Sequence, residues 1–214
     1  MADFAIETYV VGPVQTNCYF LLNHDTKQLI VVDPGAAAKQ LAERIRDHGY
    51  DPVGILLTHG HFDHADGIAA LKEELSEYTL PVYTYEGERR TLEDPRLNLS
   101  GDMNFHATSY QADVFLQDHE HFTLGGFEIE LLFTPGHTPG GCCFYLSKEQ
   151  VLFSGDSLFA GSVGRTDFPE GSMSDLVRSV KAQLFVLPDE VCVLPGHNEP
   201  TSIGEEKKYN PFLV

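Results

Sequence analysis

Short apolar runs alternate with amphipathic stretches along most of the chain. Eight runs predict strands, at residues 19–22, 29–32, 55–57, 81–83, 127–133, 143–146, 151–153 and 191–194. Apolar residues at helical spacing predict helices at residues 37–48, 66–78 and 175–187, and Gly49 is a suitable residue to end the first of them. Strands that alternate with helices are typical of α/β domains. No linker-like segment divides the chain, so we expect a single domain over residues 1–214.

Residues 85–119 fit neither the strand nor the helix period and contain few aliphatic side chains. We expect this stretch to be a long excursion over the surface. Loops of that length inside a compact domain are usually functional or mobile. A solvated insertion without a function is the other interpretation that the residues leave open.

Composition and charge exclude several classes of function. The chain has 32 acidic and 14 basic residues, a formal net charge of −18, and scattered Lys and Arg, which argues against nucleic-acid binding. No apolar run approaches the roughly 20 residues of a membrane-spanning helix. The N-terminus lacks the pattern of a secretory signal, and the four cysteines form no CxxC pair. We therefore expect reduced cysteines and a cytoplasmic protein, whereas the oligomeric state stays open.

The densest group of potential metal ligands lies at residues 58–64, which read THGHFDH and directly follow a predicted buried strand. In an extended segment, residues two apart point the same way, so His59 and His61 can converge on one cation. Asp63 and His64 open the next helix and can turn toward a second position. Burying three imidazoles and a carboxylate without a metal would be very costly, so the motif predicts a metal site.

Further potential ligands follow the ends of predicted strands. Besides His59, these are His137, Asp156 and His197, and each of the three comes directly after a glycine. In α/β folds, ligands gather outside the carboxyl ends of the strands. Each Gly-His pair alone is more typical of a turn, but the strand ends together indicate one shared site.

The order of HxHxDH at residues 59–64, then His137, Asp156 and His197, resembles the metallo-β-lactamase fold hydrolases over essentially the whole chain. Within that superfamily the sequence is most similar to glyoxalase II (hydroxyacylglutathione hydrolase) in a short single-domain form. The closer similarity lies in TPGHTPG at 134–140, SGDSLF at 154–159, GRTDFP at 164–169 and NPFL at 210–213. The resemblance implies a four-layer αββα sandwich of two mixed sheets, with metals at one edge.

The resemblance also implies a set of site residues. His59, His61 and His137 would hold one divalent metal, Asp63, His64 and His197 a second, and Asp156 would bridge them. We expect zinc first, with iron or manganese as the alternatives. Asp33, at the end of another strand, would orient a ligand histidine or form only a turn. The remaining histidines are expected at the surface, namely His24, His48, His106, His119 and His121.

The implied activity is metal-dependent hydrolysis of thioesters or esters such as S-lactoylglutathione, with a metal-bridging hydroxide as nucleophile. Asp63 would orient the water, and Arg165 would contact an anionic part of the substrate or pair with Asp167. Full-length glyoxalase II has a C-terminal helical extension that this chain lacks, so we expect a weaker preference for the glutathione half. The alternative is an iron-dependent persulfide dioxygenase, which has the same fold and a similar GRTD segment. The charge disfavours a nuclease, and the missing signal disfavours a secreted β-lactamase.

Overall fold

Six strands between residues 4 and 116 form one mixed sheet. The computed structural model describes residues 3–103 and 106–213. The strands lie side by side in chain order: β1 (Phe4–Val11), β2 (Thr16–Asn23), β3 (Gln28–Val32), β4 (Asp51–Leu56), β5 (Val82–Tyr85) and β6 (Val114–Leu116). The first three strands pair antiparallel, and β3 to β6 pair parallel. The carboxyl ends of β3 and β4 therefore meet at one edge of the sheet.

The second half of the chain forms another six-stranded mixed sheet, in the order β14-β13-β10-β9-β8-β7. Its strands are β7 (His121–Leu124), β8 (Phe127–Phe133), β9 (Cys142–Leu146), β10 (Val151–Gly155), β13 (Cys192–Pro195) and β14 (Thr201–Ser202). A two-stranded ribbon, β11 (Leu158–Phe159) and β12 (Ser162–Val163), follows β10. Strand β9 runs antiparallel to both β8 and β10, and β13 runs parallel to β10. The carboxyl ends of β8, β10 and β13 thus share one edge.

The two sheets face each other, and helices cover their outer faces. Buried side chains of β2 and β3 pack between the sheets against those of β8 to β10. Tyr19 and Leu21 of β2 and Phe144 of β9 belong to this one core cluster. The helices are α1 (Ala38–His48), α2 (Phe62–Ala65), α3 (Ile68–Glu74), α4 (Arg89–Glu93), α5 (Ser100–Met103), α6 (Met173–Ser179) and α7 (Ile203–Tyr209). Helices α1 and α3 cover the first sheet, and α6 and α7 cover the second. This arrangement is the predicted αββα sandwich.

The predicted helix over residues 175–187 is correct in position but not in kind. Helix α6 ends at Ser179, and a π-helical turn, Val180–Leu184, continues it. Its buried side chains Leu176, Val180 and Leu184 belong to one core cluster on the second sheet. The apolar spacing of the sequence therefore identified the buried face, because that face is shared by the two helical forms.

The expectation of a surface excursion over residues 85–119 is wrong for the described part of that stretch. It contains a 3₁₀ turn (Glu86–Glu88), α4, α5 and β6. Leu92 and Leu99 are buried in the core cluster of the first sheet, and the side chain of Glu88 is 0 % exposed. Helices of four or five residues are too short to establish a 3.6-residue period, which is why the pattern was not visible.

The five histidines that were predicted to lie at the surface do so. The exposed side chains are those of His24, His48, His106, His119 and His121. Cys18, Cys142 and Cys143 are buried, Cys192 is half-buried, and all four are free thiols. None of the helices in the described part of the chain is long and apolar enough to cross a membrane.

Candidate metal centre

The loop after β4 carries the first two histidines of the motif. His61 has an extended backbone, φ −64° and ψ 147°, directly before α2 begins at Phe62. The side chains of His59 and His61 therefore project to the same side, and His59 Nε2 lies 3.1 Å from His61 Nδ1. Both are buried, at 2 % and 3 % exposure. Asp63 and His64 follow in the first turn of α2, on the same edge of the first sheet.

The second sheet contributes His137, Asp156 and His197 from beyond the ends of β8, β10 and β13. Gly155, at the end of β10, has a φ of +47°, a backbone conformation that glycine adopts without strain. Gly196 lies so close to the site that an added Cβ would be 2.3 Å from Asp156 Oδ1. The two glycines allow the chain to turn sharply where the side chains crowd together.

Three imidazoles form a first group of donor atoms. His61 Nδ1 lies 3.1 Å from His59 Nε2 and 2.9 Å from His137 Nε2. Around one tetrahedral zinc ion with Zn–N distances of about 2.0–2.1 Å, neighbouring donors are about 3.3 Å apart. The three nitrogen atoms are thus spaced as the ligands of one cation would be.

A carboxylate and two imidazoles form the second group. Asp63 Oδ2 lies 3.2 Å from His197 Nε2 and 3.5 Å from His64 Nε2. Asp156 lies between the two groups: its Oδ1 is 3.5 Å from His64 Nε2, and its Oδ2 is 3.4 Å from His137 Nε2. The structure therefore brings all seven predicted residues together, with Asp156 in contact with both groups.

Neighbouring acceptors fix which nitrogen of each imidazole faces the centre. His137 Nδ1 donates to the carbonyl of Arg165 at 2.7 Å, and His197 Nδ1 donates to the carbonyl of Gln15 at 3.2 Å. A carbonyl oxygen can only accept a hydrogen bond, so each of these rings keeps its hydrogen on Nδ1. The Nε2 lone pair of each neutral ring is then free to bind a cation.

Asp33 performs the same function for two further histidines. Its Oδ2 accepts a hydrogen bond from His64 Nδ1 at 3.0 Å and one from the Thr58 hydroxyl at 2.7 Å. The Thr58 hydroxyl, which donates to Asp33, accepts from His59 Nδ1 at 3.1 Å. Asp33 thus orients His64 directly and His59 through Thr58, and the interpretation of Asp33 as a turn residue alone is too narrow.

Electrostatics divide the histidines into two classes. Burial holds the pKa of His59 and of His61 well below the usual value, and their histidine neighbours lower it further. Burial also opposes protonation of His64, but the carboxylates of Asp63, Asp156 and Asp33 outweigh it and raise the pKa of His64 to about 10. The histidines of the first group thus stay neutral and free to bind a cation. The carboxylates around His64 favour a positive charge there, which a bound cation would supply in place of the proton on the ring.

The buried atoms fit divalent cations. His64 Nε2 and Asp156 Oδ1 are buried and have no hydrogen-bond partner, which is unfavourable unless a ligand engages them. Three sets of donor atoms lie within 4.8 Å of one another: His59, His61 and His137; His59, His64 and Asp156; and Asp63, His64 and His197. Imidazoles and carboxylates without thiolates suit zinc, iron or manganese.

A cavity of about 780 Å³ opens onto this centre. Its lining includes five of the proposed ligands, His61, Asp63, His137, Asp156 and His197. Its apolar lining residues are Val10, Val14, Leu99, Phe159 and Phe168. Phe168 also packs edge-on against His61, with 5.4 Å between ring centroids. A cavity lined by apolar side chains and a small group of convergent polar ones is typical of a site for a small organic substrate.

Glu88 is the residue near the centre that sequence reasoning missed. Its Oε1 accepts a hydrogen bond at 2.8 Å from the backbone N–H of Gly60, which lies between His59 and His61. An added Cβ on Gly140, in the loop of His137, would lie 2.5 Å from Glu88 Oε2. Glu88 therefore packs between the two loops that carry the first group, and no periodic pattern in the sequence marks it.

The chain is similar in sequence to known metallo-hydrolases. Residues 11–197 match the metallo-beta-lactamase superfamily. A probable metallo-hydrolase of Bacillus subtilis is 39 % identical over 204 residues, which cover 95 % of this chain and 94 % of that protein. The hydroxyacylglutathione hydrolase GloC of Haemophilus influenzae is 35 % identical over 214 residues, with 97 % of each chain covered.

Comparison with solved structures shows the same fold. BLEG-1 B3 metallo-beta-lactamase aligns with a TM-score of 0.91 and 39 % identity, over 98 % of this chain and all of that one. TTHA1623 in a di-iron-bound form aligns with a TM-score of 0.83 and 35 % identity, over 97 % and 100 %. ETHE1 from Myxococcus xanthus aligns with a TM-score of 0.77 and 27 % identity, over 97 % and 83 %.

Proposed function

Because the chain belongs to the metallo-beta-lactamase superfamily, we propose that it is a metal-dependent hydrolase of thioesters or esters, similar to glyoxalase II. The observation that carries the proposal is the arrangement of six donor residues in two groups of three, with Asp156 as the seventh between them. A binding protein without catalytic activity would not require two cation sites beside an open cavity. We infer two divalent metals, and zinc is our first expectation.

The proposed ligand sets follow the two groups. The first metal would be held by His59, His61 and His137, the second by Asp63, His64 and His197, with Asp156 as the bridge. The di-iron form of TTHA1623, a structure 35 % identical to this chain, supports iron as an alternative. Because this donor set does not discriminate strongly among zinc, iron and manganese, we expect the metal to follow availability.

Cations bound there would supply Lewis-acid activation: they lower the pKa of a water toward about 7 and polarise a carbonyl group. The residues of the chain then orient the reactants. Asp63 lines the cavity, and its Oδ2 accepts a hydrogen bond from the Thr16 hydroxyl at 2.9 Å. Burial favours the neutral form of Asp63, but His64 and His197 outweigh it and hold its pKa below the usual range. Asp63 thus stays ionised and can orient the water by accepting a hydrogen bond from it, although its lowered pKa makes it a weak base for that proton.

A thioester is the substrate class that this site suits best. A thiolate is a fairly stable leaving group, since a free thiol has a pKa of about 8.5, so no strong general acid is needed. The leaving group matters because five of the polar residues that line the cavity are proposed metal ligands and are not available as a general acid. The name of the Haemophilus influenzae relative, hydroxyacylglutathione hydrolase, supports S-lactoylglutathione as the first substrate to test.

The free cysteines bear on where the enzyme acts. All four are unpaired, and three of them are buried. Free thiols persist in reducing compartments, so we propose the cytoplasm as the location. A small molecule, not a nucleic acid, is the proposed partner, in keeping with the net charge of −18.

The direct test combines metal analysis with a hydrolysis assay. The purified chain is stripped with a chelator, reloaded with zinc, iron(II) or manganese(II), and its metal content is measured. We expect about two metals per chain and hydrolysis of S-lactoylglutathione that is lost on stripping and regained on reloading. A chain that binds no transition metal after reloading, or that binds two and cleaves no thioester or ester, would contradict the proposal.

A second candidate, an iron-dependent persulfide dioxygenase, is supported by the GRTD segment at residues 164–167, which resembles the corresponding segment of that family. It differs from the hydrolase in metal number and in the consumption of oxygen. One iron per chain, together with oxygen uptake when glutathione persulfide is added, would favour this candidate. Two metals and thioester cleavage without oxygen uptake would favour the hydrolase.

A further inference from the structure

Arg165 holds a special position at the rim of the cavity. Its carbonyl accepts the hydrogen bond of His137 Nδ1, and the residue lines the cavity, with its guanidinium over the ring of Phe168, which also lines it. Among the described residues that line the cavity, Arg165 is the only Lys or Arg, whereas Asp63, Asp156 and Glu199 are acidic. An anionic part of a substrate would therefore depend on Arg165 for a complementary charge.

The guanidinium of Arg165 already has a carboxylate partner. Its Nε donates to Asp167 Oδ1 at 2.9 Å and its Nη2 donates to Asp167 Oδ2 at 2.8 Å. Its Cζ also lies 4.5 Å from the centre of the Phe168 ring. The two-pronged bond uses the edge of the guanidinium that best matches an incoming carboxylate. Asp167 itself does not line the cavity.

We propose that Asp167 is a specificity-determining residue that masks the charge of Arg165 and so weakens the preference for anionic thioesters. This inference rests on the proposed function, because it assigns the substrate range of the same site. The enzyme then acts on neutral as well as anionic thioesters, and its selectivity comes from the apolar walls and the reactive carbonyl. Removal of the Asp167 charge would increase the preference of the site for anionic over neutral substrates.

Exposure to water limits the strength of the ion pair between Arg165 and Asp167. The side chain of Arg165 is 64 % exposed and that of Asp167 is 68 % exposed, so water weakens their attraction. Hydrogen bonds from Arg165 lower the pKa of Asp167, which keeps it ionised at neutral pH. A substrate carboxylate must compete with this weak pair. We therefore expect that removing the competitor raises kcat/KM for an anionic thioester by about fivefold.

The experiment compares two thioesters with the same acyl group. S-lactoylglutathione is anionic at neutral pH, and S-lactoyl-N-acetylcysteamine is uncharged. Steady-state kcat/KM is measured for both with the metal-loaded wild type and Asp167→Asn. We expect the ratio of kcat/KM, anionic over neutral, to rise about fivefold in Asp167→Asn, chiefly through a lower KM for S-lactoylglutathione.

The chain offers a matched control in the pair of Asp94 and Arg96. This pair also joins residues two apart through two bonds, Nε to Oδ1 at 3.2 Å and Nη2 to Oδ2 at 2.8 Å, but neither residue lines the cavity. Asp94→Asn makes the same change in net charge as Asp167→Asn. Its substrate ratio should equal that of the wild type, which separates a local effect from a change in the field of the whole protein.

A second variant and a binding measurement identify Arg165 as the masked group. The double variant Arg165→Met/Asp167→Asn should lose the gain in the ratio. Calorimetric titration with S-methylglutathione, a thioether that cannot be hydrolysed, should give tighter binding to Asp167→Asn than to the wild type. This readout does not depend on turnover.

Three results would overturn the inference: an unchanged ratio in Asp167→Asn, an equal rise in Asp94→Asn, or a gain that persists without Arg165. Failure of the proposed function looks different. In that case the metal-loaded wild type cleaves neither thioester, and no ratio can be formed.

Discussion

Glu88 offers a test of how burial shapes the free energy of unfolding. Its side chain is 0 % exposed, and Oε1 accepts the backbone N–H of Gly60 at 2.8 Å. Among the ion pairs of residues 3–103 and 106–213, none includes Glu88. Burial raises its pKa from 4.5 to about 7, against the opposing effect of hydrogen bonds from Gly60, Thr138, Gly140 and Thr91. The substitution Glu88→Gln keeps the size and an oxygen acceptor for Gly60 but cannot ionise.

The direction of the effect follows from proton linkage. Because the folded pKa lies above the unfolded one, Glu88 contributes stability that is fully present below pH 4.5 and is lost as the pH rises through about 7. The interval between 4.5 and about 7 corresponds to about 3 kcal/mol, at roughly 1.4 kcal/mol per pH unit. The variant Glu88→Gln cannot ionise at this position, so it does not lose this stability as the pH rises. Relative to the wild type, the variant should gain about 2–3 kcal/mol in free energy of unfolding between pH 5 and pH 8.

Urea unfolding at pH 5, 6, 7 and 8, with both proteins free of metal, measures this difference. Titration of the histidines is common to both proteins and cancels when their free energies of unfolding are subtracted. Glu86→Gln is the matched control, because Glu86 is an exposed residue of the same 3₁₀ turn. Because its side chain is exposed to water, Glu86→Gln should not reproduce the gain expected for Glu88→Gln. A Glu88→Gln difference that stays constant within about 1 kcal/mol from pH 5 to pH 8 would refute the reasoning.

Two further predictions concern the metal centre. Asp156→Ala should lower bound metal more than any other single ligand change, because Asp156 contacts both groups of donors; elemental analysis that finds two metals per chain would contradict this. Asp33→Ala removes the partners of His64 Nδ1 and of the Thr58 hydroxyl, so metal affinity should fall by about 10–100-fold. Competition with a chelator measures that loss, and an unchanged affinity would show that Asp33 does not orient the ligands.

The sequence predicted the sheets well where strands are buried. All eight predicted strands occur in the structure, and Phe127–Phe133 has the predicted bounds. Strands that bury little were missed. β1 (Phe4–Val11) is half-buried over most of its length, and β7 (His121–Leu124) has no fully buried residue. Both lie at sheet edges, where one partner is absent and an apolar run is not required.

The donor residues of the site could be predicted for a different reason. Four of them occupy a six-residue stretch, His59 to His64, and the others follow strand ends that topology brings to one edge. Their supporting residues could not be predicted equally well. Glu88 lies 28 positions after Gly60 in the sequence and accepts a hydrogen bond from its backbone N–H. Such a contact depends on how the 3₁₀ turn packs, which no local spacing encodes.

The division of the chain between the two sheets has a consequence for assembly. Strands β1 to β6 come from residues 4–116 and β7 to β14 from residues 121–202, and each group of donors draws on both parts of the chain. His137 completes a group whose other members precede β5, and His197 does the same for Asp63 and His64. Neither half alone can therefore form a complete group. A chain cut between β6 and β7 would regain its metal sites only when the two fragments reassociate, so metal uptake would report docking of the sheets.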